Sequence, residues 1–386
     1  MSCKPARVQR LPSFDNSSSS TVEPSFPDVA AKLAQAKASM RTASSTDGED
    51  GCTPLHLACA GGQEDLVDIL LKAGSPIEVL DKMQRLPVKI ALVNGHHAIV
   101  ARLLSAGAQL DPKDELVRSS FLAAAMQGSY EMADQLLRLG VDPAVHDAHG
   151  HTALHMAAMH RHPRVVELLV SQGAGACEQC DDGCEPLHMA AFSGCAASVA
   201  ILCQAGSHLD RPAGVLRCCP MHLAVDQDHQ HVVEELISAG ANTDVTDQDG
   251  CTPLHWAVES GDADMVKLLL ESGANVDAQD AEGWTPLHMA SWKQYTDVVL
   301  QLLDAGANHS VKANNGNTPL HWVAVVVNVQ IARELLAAGA TFSIENKAGM
   351  TARDVAVAHG YETHAMVRIM DYSRELKALA APTTMD

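Results

Sequence analysis

The stretch TPLHWAVESGDADMVKLLLESG, residues 252–273, contains the pattern that decides the fold. Thr252 followed by Pro253 is typical of a helix start, because the threonine oxygen can cap free amide groups and proline suits the first helical turn. Residues 262–272 carry apolar side chains at helical spacing and predict a second helix. Gly273 comes next, and glycine readily adopts the left-handed conformation that ends a helix. The stretch therefore predicts a pair of helices.

The same pattern returns along the chain at steps of 33 residues. The tetrapeptide Thr-Pro-Leu-His, or a close variant of it, begins at Thr53, Thr152, Glu185, Thr252, Thr285 and Thr318. Glycines recur in phase with it, at Gly74, Gly107, Gly140, Gly173, Gly206, Gly240, Gly273, Gly306 and Gly339. One step has 34 residues, with the extra residue between Ser207 and Cys218. A fixed period of this length indicates a repeat architecture, in which stacked units bury a continuous core.

This pattern resembles the ankyrin-repeat family, whose unit carries T-P-L-H-x-A at 33 residues. The resemblance implies an all-α solenoid of about ten helix-turn-helix units with β-hairpin-like fingers. The units begin at Thr53, Leu86, Ser119, Thr152, Glu185, Cys219, Thr252, Thr285, Thr318 and Thr351. Units two and three depart from the tetrapeptide, and Gln84 and Val117 replace their finger glycine. Distorted fingers are expected there.

Three segments are predicted. Residues 1–48 are serine-rich and are expected to be a largely disordered tail, although Val29, Leu33 and Met40 have the spacing of a capping helix. Residues 49–378 form the repeat array, whose last helix is expected to continue through residues 373–377. Residues 379–386 are predicted to be a flexible tail.

Composition and charge exclude several classes of protein. The 386 residues are 47% hydrophobic and carry a net charge of −20, and no apolar stretch is long enough to span a bilayer. A chain with this negative charge repels the phosphate backbones of nucleic acids, which argues against nucleic-acid binding. Because no apolar signal core is visible and the cysteine number is odd, we expect a monomeric cytoplasmic or nuclear protein with reduced thiols and no membrane insertion.

Histidines and cysteines are the candidates for chemistry. Seven histidines share one column of the repeat, and the resemblance implies that they brace neighbouring fingers. Cys177, Cys180 and Cys184 have a zinc-like spacing, but Cys184, Cys218 and Cys251 fall in one column about a repeat apart, too far for a shared zinc ion or a disulfide. No phosphate-binding loop or nucleophile motif is present. We therefore expect no enzyme, no cofactor and no metal.

A partner-binding surface is predicted from two columns of the repeat. By resemblance, partners contact the concave face at the fingertips and late in each first helix. The apolar candidates there are Val93, Met126, Met159, Phe192, Trp284, Trp292, Val325, Val326 and Met350. Trp284, Trp292, Val325, Val326 and Met350 could form one exposed patch on units eight to ten. Alternatively, these side chains pack on one another as additional core.

The predicted function is that of a scaffold or adaptor protein that holds a partner on its concave face. The acidic charge favours partners with basic patches. The alternative is an inhibitory or regulatory subunit that occludes a basic surface of an enzyme or transcription factor. The segment Arg7 to Ser13 resembles a basophilic kinase site, so phosphorylation of Ser13 is a further candidate.

Overall fold

The computed structural model describes residues 51–361, 364–365 and 367–371. The predicted tails, the capping helix near Leu33, Ser13 and the continuation through residues 373–377 lie outside the described residues. The chain divides into two compact units, residues 1–94 and 95–386.

The first unit contains three helices in its described part. They are α1 (Pro54–Ala60), α2 (Glu64–Lys72) and α3 (Pro87–Val93). Helix α1 begins at a capping threonine, since the Thr53 hydroxyl accepts a hydrogen bond from the His56 amide. It packs against both α2 and α3, and Leu55 and Ala58 are completely buried in that core.

The second unit continues the same alternation of short helices. Its helices are α4 (His97–Ser105), α5 (Glu115–Gln127), α6 (Tyr130–Arg138), α7 (Ala153–Met159), α8 (Pro163–Ser171), α9 (Pro186–Ser193), α10 (Ala196–Gln204), α11 (Pro220–Asp226), α12 (Gln230–Ser238), α13 (Pro253–Ser260), α14 (Ala263–Glu271), α15 (Pro286–Lys293), α16 (Thr296–Asp304), α17 (Pro319–Val326), α18 (Val329–Ala337) and α19 (Ala352–Ala358). The all-α repeat architecture predicted from the sequence is confirmed.

Helices of the second unit make two kinds of packing contact, within a repeat and between neighbouring repeats. From α5 to α18, each first helix packs on the second helix that follows it, and first helices also pack on the first helices of neighbouring repeats. Small residues such as Ala190 and Ala191 are fully buried between these helices. Small side chains let helices approach to the short end of the usual ~8–10 Å range.

Several fingers between repeats are turns capped by an aspartate or asparagine side chain. In the finger of residues 274–284, Asp280 Oδ1 accepts hydrogen bonds from the amides of Glu282 and Trp284, at 2.9 and 2.7 Å. The Ala281 amide donates to the Asp249 carbonyl of the preceding finger at 2.8 Å. Each such bond ties one finger to the next.

Units two and three depart from the regular pattern in different ways. In unit two, Gln84 takes the left-handed conformation of the missing glycine, with φ of 60°. In unit three, the first helix begins at Glu115, capped by Asp114, rather than after Ser119. Val117 therefore lies inside a helix, fully buried, and the expected distorted finger is replaced there by an earlier helix start.

Among the residues that the structure describes, no helix combines the length and apolar character required to cross a bilayer.

Candidate functional site

The histidine column links each repeat to the finger that follows it. In unit seven, His255 Nδ1 accepts from the Thr252 amide at 3.1 Å, which requires the proton on Nε2. Nε2 then donates to the Trp284 carbonyl at 3.1 Å. The same donation to a finger carbonyl occurs at His56, His155, His188, His222, His288 and His321. The bracing role implied by the family resemblance is therefore present in the structure.

Burial favours the neutral ring in most of this column and lowers the pKa of His222 among others. It lowers the pKa of His155, His255 and His288 to about 4. It also lowers the pKa of His188 and His321. A neutral ring can donate through one nitrogen and accept through the other, as both bonds require.

The predicted binding column is only partly open to solvent. Val93, in the first unit, is 69% exposed. In the second unit, Met126, Met159 and Phe192 are half-buried. The backbone carbonyl of Phe192 accepts a hydrogen bond from His229 Nε2 at 3.2 Å, so the backbone at this position is bonded to the next repeat.

Histidines of a second column, which the sequence analysis did not single out, pack against glycines. A Cβ added at Gly194 would lie 2.6 Å from the ring of His229, and one at Gly128 would lie 2.4 Å from the ring of His162. His162 Nε2 donates to the Met126 carbonyl at 3.0 Å. In the sequence, this contact corresponds to a glycine nine residues after a unit start and a histidine at the matching part of the next unit.

Three tryptophans form a stack across units eight and nine. The ring centroids of Trp284 and Trp322 lie 4.7 Å apart, and those of Trp322 and Trp292 lie 5.3 Å apart in an edge-on arrangement. Trp292 is 38% exposed. Trp322 is half-buried, and its Nε1 is buried without a hydrogen-bond acceptor. This tryptophan stack (Trp284, Trp322 and Trp292) leads from the repeat core to the surface.

Trp284 itself is 7% exposed, so the expectation that it lies in an exposed patch is wrong. Its ring packs between Trp322 and His288, and its carbonyl receives the His255 bond. The alternative that side chains of this patch add to the core holds for Trp284. Val325, Val326 and Met350 are half-buried, and their part in binding stays a prediction.

Four acidic residues lie on units six and seven, the two repeats that precede the tryptophan stack. Asp226 and Asp228 lie at the end of α11, and Glu259 and Asp262 lie at the equivalent end of α13. A hydrogen bond between the two carboxyl groups raises the pKa of Asp228 next to Asp262. Glu259 is paired with Lys293 of the next repeat. We refer to Asp226, Asp228, Glu259 and Asp262 as the acidic cluster.

The cysteines with zinc-like spacing separate in the fold. Cys180 and Cys184 are buried and hydrogen-bonded to each other, which lowers the pKa of Cys180 to about 6 and raises that of Cys184. The Cys177 thiol instead lies within 4.8 Å of ligand atoms of Glu185 and His208. Sequence reasoning missed these neighbours of Cys177. All cysteines among the described residues are free thiols.

Comparisons with known proteins agree with this geometry. The model of three ankyrin repeats matches residues 26–114, 121–213 and 221–313, and the model of a single ankyrin repeat matches residues 315–347. Among solved structures, the chain is similar to the ankyrin repeat domain of human ASB11, with 30% sequence identity and a TM-score of 0.50. That match covers 57% of this chain and 98% of the other. No curated protein matches the sequence.

Proposed function

Because the chain belongs to the ankyrin-repeat family, whose repeats are generally protein–protein interaction modules, we propose that it is a non-catalytic scaffold or adaptor that holds a partner protein. We place the contact on the face that carries the late first-helix column, which the resemblance assigns to the concave side. The proposal includes action as a monomer in the cytoplasm or nucleus.

The observation that carries this proposal is the exposed end of the tryptophan stack. Trp292 presents its indole to solvent while its ring is supported by Trp322, which rests on the buried Trp284. A supported aromatic ring loses little conformational freedom when a partner covers it. Tryptophan is also enriched among the residues that dominate binding energy at interfaces.

Charge next to the tryptophan stack supports a partner of defined chemistry. The acidic cluster lies on the two repeats that precede Trp292, and Glu259 already contacts a cation, Lys293. Val325 occupies the same column in the repeat after Trp292. A partner with an apolar anchor for Trp292 and basic side chains for the acidic cluster fits this order.

A second candidate function is inhibition of an enzyme or transcription factor by covering its basic surface. The acidic cluster favours it, because Asp228 and Asp262 of neighbouring repeats repel each other and a cation from a partner would relieve that repulsion. Salt separates the two functions. Binding led by charge weakens steeply with ionic strength, whereas binding led by an apolar anchor does not.

Substitution at Trp292 tests the proposal. Proteins captured from a cell lysate by the wild-type chain and by Trp292→Ala would be compared by quantitative mass spectrometry, with Val215→Ala as the matched control. Val215 is also apolar and is 87% exposed, but it lies in the finger of residues 207–218. A partner should be retained by Val215→Ala and bind Trp292→Ala at least about 30-fold more weakly, since a hot-spot residue contributes ~2 kcal/mol or more.

Helical circular dichroism should be unchanged in Trp292→Ala, because the side chain is the exposed end of the stack. Equal capture by the wild-type chain and Trp292→Ala would contradict the proposed site. The captured partner would then be titrated between low and high salt to distinguish scaffold from inhibitor.

A further inference from the structure

The repeat pattern breaks at unit five in three coincident ways. Glu185 stands where most units have threonine, and the finger of residues 207–218 carries the one extra residue of the array. His188 Nε2 donates to the Arg211 carbonyl, 23 residues along the chain, whereas His255 reaches 29 residues along to Trp284. The altered finger thus folds back over the start of α9.

This fold-back brings three metal-ligating side chains together. One ligand atom from each of Cys177, Glu185 and His208 lies within 4.8 Å of the other two. His208 Nδ1 is 2.9 Å from Glu185 Oε1. The Cys177 thiol donates only a long bond, 3.5 Å, to the Gly206 carbonyl. We refer to Cys177, Glu185 and His208 as the Cys-Glu-His cluster.

Glu185 is the unusual member of the cluster. The residue is completely buried, and its Oε2 has no hydrogen-bond partner. Burying a carboxylate is costly unless a cation and hydrogen bonds satisfy both oxygens. The cation now present is the guanidinium of Arg211, whose Nη1 lies 3.1 Å from Oε1 and 3.3 Å from His208 Nδ1.

The Arg211 side chain is partly open to solvent. It is 41% exposed, so the guanidinium can move into solvent without breaking the core. The neighbouring side chain His208 is also exposed. A path from solvent to the buried carboxylate therefore passes between these two residues.

We propose that the Cys-Glu-His cluster is a binding site for Zn²⁺, which replaces the Arg211 guanidinium beside Glu185. Thiolate, imidazole and carboxylate together are a donor set that zinc accepts, whereas calcium and magnesium require oxygen ligands. Tetrahedral zinc with metal–ligand distances of ~2.0–2.3 Å holds its ligand atoms about 3.3–3.8 Å apart. Ligand atoms of the cluster that are now up to 4.8 Å apart must therefore approach by up to about 1 Å, whereas His208 Nδ1 and Glu185 Oε1, now 2.9 Å apart, must separate slightly. Water would complete the coordination.

Charge and protons balance in this exchange. The Cys177 thiol loses its proton to solvent on binding, and the resulting thiolate and the Glu185 carboxylate offset the charge of Zn²⁺. His208 binds as the neutral ring through Nδ1, with its proton on Nε2. Arg211 moves away because two cations would otherwise share one carboxylate. Zinc affinity should consequently increase with pH and increase when Arg211 is removed.

Competition with a chromophoric zinc chelator, under reducing conditions, tests the proposal on the full chain. The wild-type chain should bind one Zn²⁺ at this site, and Cys177→Ser and His208→Ala should each weaken binding by at least the roughly tenfold that loss of a metal-site partner typically costs. Arg211→Gln should tighten binding. Cys203→Ser is the matched control, because Cys203 is a half-buried thiol outside the cluster.

Cobalt provides a second readout. Co²⁺ bound through the Cys177 thiolate should give a sulfur-to-metal charge-transfer band in the near ultraviolet, absent from Cys177→Ser and retained in Cys203→Ser. Circular dichroism would establish that each variant is folded. The proposal is overturned if the folded wild-type chain binds no zinc, or if Cys177→Ser and His208→Ala bind it as the wild type does.

Discussion

Two fingers of the same array show how one repeat pattern gives two different local structures. In the finger of residues 274–284, the Asp280 side chain caps the turn, and a threonine pairs with the histidine of each adjoining helix. In the finger of residues 207–218, the Ala213 and Cys218 backbones pair with each other. There Arg211 and His208 contact the buried Glu185.

The difference shows where the array can acquire chemistry. The regular finger is closed by the Asp280 carboxyl group, whose Oδ1 accepts two backbone amides, and by threonine–histidine pairs. These groups satisfy one another and leave little for a ligand. The irregular finger is closed by a charged cluster with an unpartnered carboxylate oxygen. In both fingers a backbone carbonyl accepts a hydrogen bond from a histidine of the repeat. The repeat fold is therefore the same in both places, and the charges around the finger differ.

Units seven to nine, residues 252–350, surround the regular finger and are called the regular region below. Acidification should have its largest effect on the stability of this region. Burial lowers the pKa of His255 and His288 to about 4, whereas histidine in an unfolded chain has a pKa of ~6.5. The unfolded state therefore binds more protons between these values, and stability that is complete above pH ~6.5 is lost as the pH falls to about 4. The loss is on the order of 3 kcal/mol for each imidazole.

Tryptophan fluorescence during urea unfolding measures this loss, because Trp256, Trp284, Trp292 and Trp322 all lie in the regular region. The urea midpoint should decrease steadily from pH 6.5 to pH 4. His208→Gln is the control from the irregular finger and should leave the slope unchanged. A midpoint that is constant over this range would show that the histidine column does not stabilise the regular region.

Much of this region could be predicted from the sequence. The prediction of a second helix over residues 262–272 is close to α14, Ala263–Glu271, with Asp262 as its cap. The first helix begins at Pro253, directly after Thr252 as predicted, and ends at Ser260. Periodicity and caps determine such elements locally, so the sequence alone is sufficient for them.

The candidate site was less predictable because it depends on contacts between repeats. Trp284 was predicted to lie at the surface because fingertip positions were expected to be exposed. In the structure, Trp322 from the next repeat covers it. Spacing along the chain grouped Cys177 with other cysteines, whereas the inserted finger residue brings His208 to it. Glu185 in the threonine column was the available signal for that change.

A smaller effect is expected at the end of α17. Val327 adopts the left-handed conformation, with φ of 61°, where the equivalent position after α9 is Gly194. That conformation costs a β-branched residue ~1–2 kcal/mol. Val327→Gly should therefore stabilise the regular region by about 1 kcal/mol, after the entropy that glycine adds to the unfolded chain.

Urea unfolding followed by tryptophan fluorescence also measures this gain. Gln294→Gly is the matched control at the same position after α15, where φ is 64°, and it should give a smaller gain because glutamine is unbranched. Destabilisation by Val327→Gly would indicate that packing of the half-buried valine outweighs its backbone strain.

Hydrogen exchange in Glu185→Gln tests most directly whether the two fingers are closed by different interactions. The substitution keeps the shape of Glu185 and removes the charge that holds Arg211. The account predicts that the amides of Ala213 and Cys218 exchange about tenfold faster, equivalent to ~1.4 kcal/mol of local stability, while those of Asp280 and Gly283 are unchanged. Equal acceleration in both fingers, or none in either, would contradict it.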